Sequence, residues 1–271
     1  MDDVTVNEWH SYAKSWAKHA GSMMMEARQK ASFDREYKAG HELVTSTDIA
    51  IDEYLCENIR QTFPDHLILS EESSPDLAFA QGASVPVWVI DPIDGTINFA
   101  QGLLHVAVSI AVYYQGERWV GVVHAPFLQE TYTAVRGQGA WLNSEPIQVS
   151  QRNDLRNAIV ATGFPYDKAT LPILIKQLQT VLSRCQDVRR NGSAALDLCA
   201  VARGQMDAYY ESVKPWDMAA GALIAEEAGA IVGHFHEQGS KWPSKINGEF
   251  LLAATPDLYQ SLLELLQVAD K

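Results

Sequence analysis

Apolar residues recur at helical spacing near the start of the chain and in strand-like runs further along. Residues 6–31 predict a long amphipathic helix whose apolar face carries Trp9, Tyr12, Ala13, Trp16, Ala20, Met23 and Met24. Residues 33–39 are a weak strand candidate. The segment 43–48 is expected to open a second helix, which runs to about Phe63 and ends at Pro64.

Short apolar runs predict strands at residues 67–70 and 85–90. The second run is continuous and rich in β-branched residues, as in a strand that is buried on both faces. Further runs, separated by turns that contain glycine, predict one large antiparallel meander at residues 106–114, 119–125, 130–135 and 140–142. Helices and strands are mixed in the rest of the chain, with strands expected at 158–162, 206–211, 230–232 and 250–254 and helices at 171–185, 193–203, 218–228 and from 256.

The chain has 271 residues, of which 47% are hydrophobic, so it can bury a large core. We expect a single domain over residues 1–271, built of two intimate halves at about 1–150 and 151–271, because no repeat or linker is apparent. The net charge of −13 argues against binding to nucleic acid or to an anionic membrane.

The longest apolar run covers residues 103–114 and is too short to span a bilayer. The acidic start of the chain leads into the first helix and does not resemble a signal peptide. Three cysteines, Cys56, Cys185 and Cys199, are far apart and odd in number, as expected for free thiols in a reducing compartment. We therefore expect a cytoplasmic protein.

The stretch WVIDPIDGTINF at residues 88–99 is the strongest candidate for chemistry. It places Asp91 and Asp94 at the carboxyl end of the buried strand, where open α/β sheets bind ligands. Pro92 should end the regular pairing, and Thr96 could cap a short helix. Two acids beside a phosphate-binding helix start would repel a phosphate unless a cation lay between them. Oxygen ligands of this kind favour Mg²⁺.

Four further acids follow predicted strands or begin predicted helices: Asp48, Glu71, Glu211 and Asp217. Each has an ordinary alternative. Asp48 is a good helix cap in any protein, and Glu71 could lie in a solvated loop. Sequence spacing alone leaves these alternatives open.

Several motifs together resemble the inositol monophosphatase family of Mg²⁺-dependent, lithium-sensitive phosphatases. The specific ones are EES from Glu71, DPIDGTINF from Asp91 and WDMAAG from Trp216; milder ones are LVTSTD ending at Asp48, GSAALDL from Gly192 and DAYYE ending at Glu211. The resemblance covers almost the whole chain. It implies a mixed α/β, layered α-β-α-β-α sandwich with one large sheet and one smaller sheet, and it suggests a homodimer.

The resemblance also implies roles for individual residues. Glu71, Asp91 and the Ile93 carbonyl match ligands of a first Mg²⁺. Asp91, Asp94 and Asp217 match ligands of a second, and Glu71 also faces a weaker third. The positions that match substrate contacts are Asp94, Gly95, Thr96, Ala194 and Glu211, and those that match catalytic groups are Asp48, Thr96 and Glu71.

The implied reaction is hydrolysis of a phosphate monoester by a metal-activated water attacking in line. Two metal ions about 4 Å apart would neutralise the phosphate, and Asp48 would accept a proton through Thr96. Inositol 1-phosphate is the favoured substrate. NADP(H) and fructose 1,6-bisphosphate are close alternatives, and histidinol phosphate and 3′-phosphoadenosine 5′-phosphate are also allowed.

Two departures concern the wall that faces the substrate. Lys214-Pro215 and the run 162–165 resemble the bacterial branch of the family. Arg189 and Arg190 could reach a second phosphate or a neighbouring subunit, or they could be a plain surface pair.

Two other functions compete with this interpretation. Haloacid dehalogenase phosphatases also pair two aspartates but separate them by one residue, whereas here two residues intervene. Trapping an aspartyl-phosphate would identify that class. A regulator that binds the transcription machinery is the other possibility, since some bacterial relatives of the family do so. Absence of turnover with Mg²⁺ would favour it.

Overall fold

The structure is a computed structural model that describes residues 3–30, 33–38, 42–73, 84–164, 170–239 and 242–269. The helices are α1 Asp3–Lys30, α2 Ser46–Thr62, α3 Thr96–Gln101, α4 Leu171–Leu182, α5 Ala194–Ala202, α6 Pro215–Glu227 and α7 Pro256–Ala269. The strands are β1 Arg35–Lys38, β2 Glu42–Thr45, β3 Leu67–Ser70, β4 Val87–Asp94, β5 Ala107–Tyr114, β6 Glu117–Ala125, β7 Glu130–Val135, β8 Ala140–Leu142, β9 Glu145–Ile147, β10 Ile159–Thr162, β11 Asp187–Arg189, β12 Ala208–Glu211, β13 Ile231–His234 and β14 Leu251–Ala254.

Two sheets organise the fold, and a small hairpin of β1 and β2 accompanies them. The larger sheet has seven strands in the order β3-β4-β5-β6-β7-β8-β9, and only its β3–β4 pair is parallel. The smaller sheet has the order β11-β10-β12-β14-β13, with parallel pairing of β10 to both β11 and β12. The predicted meander is therefore confirmed as part of one large mixed sheet.

Three apolar cores define the layers. The first lies between helices α1 and α2 and one face of the seven-stranded sheet. The second lies between the other face of that sheet, helices α5 and α6, and the five-stranded sheet. The third joins the far face of the smaller sheet to α4 and α7. This order is the α-β-α-β-α sandwich that the resemblance implies.

Helix α1 confirms the helical periodicity at the start of the chain. Its predicted apolar face is buried at Trp9, Ala13, Trp16 and Ala20, but Tyr12 is exposed at the edge of the face. The Tyr12 ring still packs on Trp16 and Phe63, with ring centroids 5.1 and 5.5 Å apart. Contacts with two aromatic rings therefore hold Tyr12 in place, although its side chain is partly exposed.

The start of helix α2 was predicted wrongly, and the prediction for Pro92 holds only in part. Residues 43–45 belong to strand β2, which pairs with β1, so helix α2 begins only at Ser46. Pro92 interrupts the regular pairing with β5, as predicted, but strand β4 does not end there, because the pairing resumes at Asp94 after a bulge. A bulge leaves one residue unpaired, so a proline fits there without costing a ladder hydrogen bond.

Two short edge strands, β9 and β11, have no clear pattern in the sequence and were not predicted. Pro165, in the run 162–165, lies outside the described residues. Within the described ranges, no helix is both long and apolar enough to cross a bilayer. All three cysteines are free thiols; Cys56 and Cys199 are buried, whereas Cys185 is only half-buried.

Candidate active site

A bulge in strand β4 brings two carboxylates to the same cavity. Asp91 pairs with Ser109 and Asp94 pairs with Ala107. Between these two pairs, β4 therefore contains one residue more than β5. Without the extra residue, side chains three positions apart would point to opposite faces of the sheet. The Ile93 amide donates to Asp91 Oδ1 at 2.9 Å and holds the bulge closed.

Asp217 joins this pair from the first turn of helix α6. Asp91, Asp94 and Asp217 each offer a carboxylate oxygen, and these oxygens lie within 4.8 Å of one another. The Lys214 amide donates to Asp217 Oδ2 at 2.7 Å and fixes that side chain at the helix start. Three acids from two layers of the fold therefore form one cluster.

The electrostatics of the cluster favour a cation. Burial and the neighbouring charge of Glu71 raise the pKa of Asp91 well above its ordinary value. Burial raises the pKa of Asp94 to about 6. Burial and then the charge of Asp94 raise the pKa of Asp217 to about 7. Carboxyl groups that lie close together resist ionisation, because their negative charges repel one another. A divalent ion bound between them would offset this repulsion. Since Mg²⁺ prefers oxygen ligands of this kind, the donor set fits Mg²⁺.

All five positions that match metal ligands line a single cavity of about 480 Å³: Glu71, Asp91, Ile93, Asp94 and Asp217. Glu71 follows the carboxyl end of β3 and lies outside the group of three, although its charge acts on Asp91. The Ile93 carbonyl accepts from Thr96 Oγ1 at 3.1 Å. The cavity therefore unites positions that are far apart in the chain, from Glu71 to Asp217 among those that match metal ligands.

Asp48 completes the capping box of helix α2, whose N-cap is Thr45, and is also a partner of Thr96. Its Oδ2 accepts from the Thr45 amide at 2.9 Å and from the Thr45 hydroxyl, which forms the cap of helix α2. Its Oδ1 accepts from Thr96 Oγ1 at 3.0 Å. Burial is the main cause that raises its pKa, to about 6. One oxygen of the Asp48 carboxylate therefore makes the contacts at the helix start, and the other makes the contact with Thr96.

The turn between β4 and α3 needs glycine at position 95. Gly95 has φ +94°, and a Cβ there would lie 3.0 Å from the His105 carbonyl oxygen and 3.1 Å from that of Gly192. Gly95 is also the residue that precedes α3, so Thr96 is the first helical residue and does not cap the helix as predicted. Its hydroxyl is directed to Asp48 and Ile93 instead.

Sequence reasoning missed the residues that hold Asp94. Ser193 Oγ and the Ala195 amide donate to Asp94 Oδ2 at 2.5 and 2.8 Å. Ser193 also caps helix α5 by accepting from the Leu196 amide. A serine before an apolar helix is a cap signal that could have located this position.

The substrate-facing wall comes from the smaller sheet and from α5. Ala194, at the start of α5, and Glu211, at the end of β12, both line the cavity. Burial raises the pKa of Glu211 to about 8, and the Tyr209 hydroxyl donates to its Oε2 at 2.7 Å. These groups can donate to and accept from hydroxyl groups of a ligand.

The two adjacent arginines separate in the structure. Arg189 forms a surface ion pair with Asp187 at 2.5 Å. Arg190 lines the cavity, where its charge acts to lower the pKa of Glu211. Only Arg190 is therefore placed to meet a ligand.

Comparisons with known proteins agree with one another. A family model described as the inositol monophosphatase family matches residues 5–270. A relative from Pasteurella multocida, named Nus factor SuhB, is 40% identical over 254 residues, covering 93% of this chain and 92% of its own. The solved inositol monophosphatase of Anabaena (Nostoc) superposes with a TM-score of 0.82 at 32% identity, covering 97% of each chain. An IMPase of Thermotoga maritima gives a TM-score of 0.82 at 30% identity and 96% coverage of each chain.

Proposed function

This chain belongs to the inositol monophosphatase family, and from that premise we propose that it is a Mg²⁺-dependent phosphate monoester hydrolase. The convergence of Asp91, Asp94 and Asp217 in one cavity is the observation that supports this activity. A phosphate monoester is a dianion that repels both these acids and an attacking water. Divalent cations bound between the acids and the phosphate would remove that repulsion and acidify the water.

The protein's own residues would then control the proton. Thr96 Oγ1 donates to Asp48 Oδ1 and so has a lone pair left to accept a proton from water. Asp48 would accept the threonine proton in turn, and its raised pKa suits a general base that works near neutral pH. Thr45, which occupies the other carboxylate oxygen, would hold Asp48 in the required orientation.

Further residues would orient the substrate. Glu71, Asp91, the Ile93 carbonyl, Asp94 and Asp217 are our proposed Mg²⁺ ligands, for two or three ions. Gly95 and Thr96 would contact the phosphate, and Asp94, the Ala194 backbone and Glu211 would contact hydroxyl groups of the alcohol. A polyhydroxylated alcohol suits these groups. We favour inositol 1-phosphate, with NADP(H) and fructose 1,6-bisphosphate as close alternatives.

A second role beside catalysis is favoured by the name of the relatives. The Pasteurella multocida protein and its Escherichia coli counterpart, which is 41% identical over 223 residues, are both named Nus factor SuhB. We propose that this chain could combine hydrolysis with binding to the transcription machinery. The acidic net charge favours a protein over nucleic acid as the direct contact. Homodimer formation stays a prediction.

Phosphate release from purified protein tests the proposed activity. The panel contains inositol 1-phosphate, fructose 1,6-bisphosphate, NADP⁺, histidinol phosphate and 3′-phosphoadenosine 5′-phosphate, each with Mg²⁺, with EDTA and with added Li⁺. We expect metal-dependent, lithium-inhibited release, with the highest kcat/KM for inositol 1-phosphate. No release from any substrate with Mg²⁺ would contradict the activity and leave the regulatory role.

A further inference from the structure

The register of the smaller sheet places Gly163 beside Glu211. Strands β10 and β12 are parallel, with Ala161 opposite Tyr209 and Thr162 opposite Tyr210. The Thr162 hydroxyl donates to the Tyr210 carbonyl at 2.8 Å and holds the two carboxyl ends together. The next residues along the two strands, Gly163 and Glu211, both line the cavity.

The Glu211 carboxylate occupies the space that a side chain at position 163 would fill. A Cβ built on Gly163 would lie 2.0 Å from Oε2, 2.2 Å from Oε1 and 2.3 Å from Cδ of Glu211. Real contacts are never this short, so any larger residue at 163 must displace the carboxylate. The backbone of Gly163 is not at a positive φ, so the reason for glycine here is space.

Tyr209 also contacts this carboxylate. Its side chain is fully buried, and its hydroxyl donates to Glu211 Oε2 at 2.7 Å. The carboxylate therefore lies against Gly163 and is also held by the Tyr209 hydroxyl. The Glu211 side chain also lines the cavity, where a ligand could reach it.

We infer that Gly163 is a specificity-determining residue, which acts with Tyr209 by directing the Glu211 carboxylate toward hydroxyl groups of the substrate. The inference rests on the proposed function, since it assigns Glu211 to the alcohol and not to the phosphate. According to this inference, the preference for a polyhydroxylated alcohol depends on the absence of a Cβ atom at residue 163. A simple aryl phosphate, which has no hydroxyl groups, should not use this contact.

Gly163→Ala is a clean test because the group that must move is the end of a flexible side chain. The folded backbone can stay in place, so we expect the Tm to change by no more than about 2–4 °C. Gly239→Ala is the matched control, because a Cβ at 239 meets no atom within 4 Å.

The measurement compares KM and kcat for inositol 1-phosphate and for p-nitrophenyl phosphate, both with Mg²⁺. Loss of a hydrogen bond between the substrate and the buried Glu211 side chain should raise KM for inositol 1-phosphate about tenfold. Turnover of p-nitrophenyl phosphate should stay within about twofold, as should both activities of Gly239→Ala. Tyr209→Phe, which removes only the hydroxyl, should shift KM in the same direction.

A double-mutant cycle shows whether Gly163 acts through Glu211. In a Glu211→Ala background the space beside residue 163 is empty, so Gly163→Ala should have no further effect on KM. An equal loss for the two substrates, or an undiminished effect of Gly163→Ala in that background, would overturn the inference.

Binding separates this inference from the proposed activity. A methylene phosphonate analogue of inositol 1-phosphate cannot be hydrolysed, so its Kd with Mg²⁺ can be measured by calorimetry even for an inactive protein. Absence of wild-type turnover would count against the activity alone. A Kd for this analogue that Gly163→Ala leaves unchanged, or no binding of it to the wild type, would overturn the role of Gly163.

Discussion

Single side chains in this cavity serve two purposes at once, because a carboxylate has two oxygens. Asp48 completes the capping box of helix α2 through one oxygen and meets Thr96 through the other. Asp94 likewise accepts from Ser193 and Ala195 through Oδ2. The protein contacts fix each group in place and leave the second oxygen for the proposed chemistry. At this scale, structural and functional roles are not alternatives.

Asp94→Asn should separate the two roles of that residue. Asparagine retains an acceptor for Ser193 and Ala195, so the variant should fold. Removing one of three repelling charges should also raise the Tm of the metal-free protein. Loss of a ligand should lower Mg²⁺-dependent turnover by about 100-fold or more, because even changes to residues that only hydrogen-bond to metal ligands cost about 10- to 100-fold.

The measurements are kcat, the Mg²⁺ dissociation constant and the Tm with EDTA. The surface variant Asp187→Asn is the control, since Asp187 pairs with Arg189 away from the cavity. Turnover near that of the wild type would show that Asp94 is not a metal ligand.

Individual elements contribute to the site through their irregularities. The bulge in β4 turns Asp91 and Asp94 to one side, and the positive φ of Gly95 lets α3 start immediately afterwards. Helix α6 begins at Pro215, so Asp217 falls in its first turn, where an acid is favoured. Regular strands and helices supply rigidity, and the places where they begin, end or bulge supply the functional groups.

Gly95→Ala and Gly102→Ala make a matched pair at the two ends of helix α3. Both glycines have positive φ, +94° and +81°, but a Cβ at 102 meets no atom within 4 Å. We expect Gly102→Ala to lose about 1 kcal/mol of unfolding free energy, and Gly95→Ala about 2–3 kcal/mol, because the latter adds contact with two carbonyl oxygens.

Urea denaturation measures both losses, and Mg²⁺-dependent turnover should fall for Gly95→Ala only. Equal losses of stability in the two variants would mean that the turn at Gly95 relaxes and that close approach is unimportant there.

The whole molecule concentrates buried acids where its layers meet. Residues from the seven-stranded sheet, the central helices and the five-stranded sheet all reach the cavity. Such a concentration of negative charge opposes folding unless protons or cations neutralise it. The apolar cores on either side must therefore hold together a site that destabilises the metal-free protein.

Stability of the metal-free protein should consequently fall as pH rises from about 4, the ordinary pKa of a carboxyl group, to about 8. The folded-state pKa values of Asp94, Asp217 and Glu211 are raised to about 6, 7 and 8, above their ordinary values. The folded state thus binds more protons than the unfolded state across this window. The associated stability is present at low pH and is lost as pH passes each folded-state pKa.

Thermal unfolding with EDTA and with Mg²⁺ across this range tests the linkage. Mg²⁺ binds the ionised carboxylates, so it should raise the Tm more at pH 8 than at pH 6. Asp94→Asn should flatten the slope of the metal-free protein. A metal-free Tm that does not fall between pH 6 and 8 would contradict the assigned pKa shifts.

Much of the fold follows from local sequence. The spacing of apolar residues predicted α1, the meander and the buried strand β4. An element that buries one face has apolar residues at a regular spacing, and a strand that buries both faces has a continuous apolar run. The edge strands β9 and β11 were not predicted, since three-residue strands are too short to show a period. The boundary at residues 43–45 was misplaced because β2 is specified by its pairing with β1 and not by its own composition.

By itself the sequence determined which acids stand at strand ends and helix starts, because turn, cap and strand signals are local. Only the tertiary structure decided that Asp91 and Asp94 share a face, that Ser193 holds Asp94, and that Arg190 but not Arg189 reaches the cavity. It also showed that a side chain at residue 163 would overlap the Glu211 carboxylate. Each of these depends on the distance between segments far apart in the chain, and such distances are set by the packing of sheets and helices as a whole.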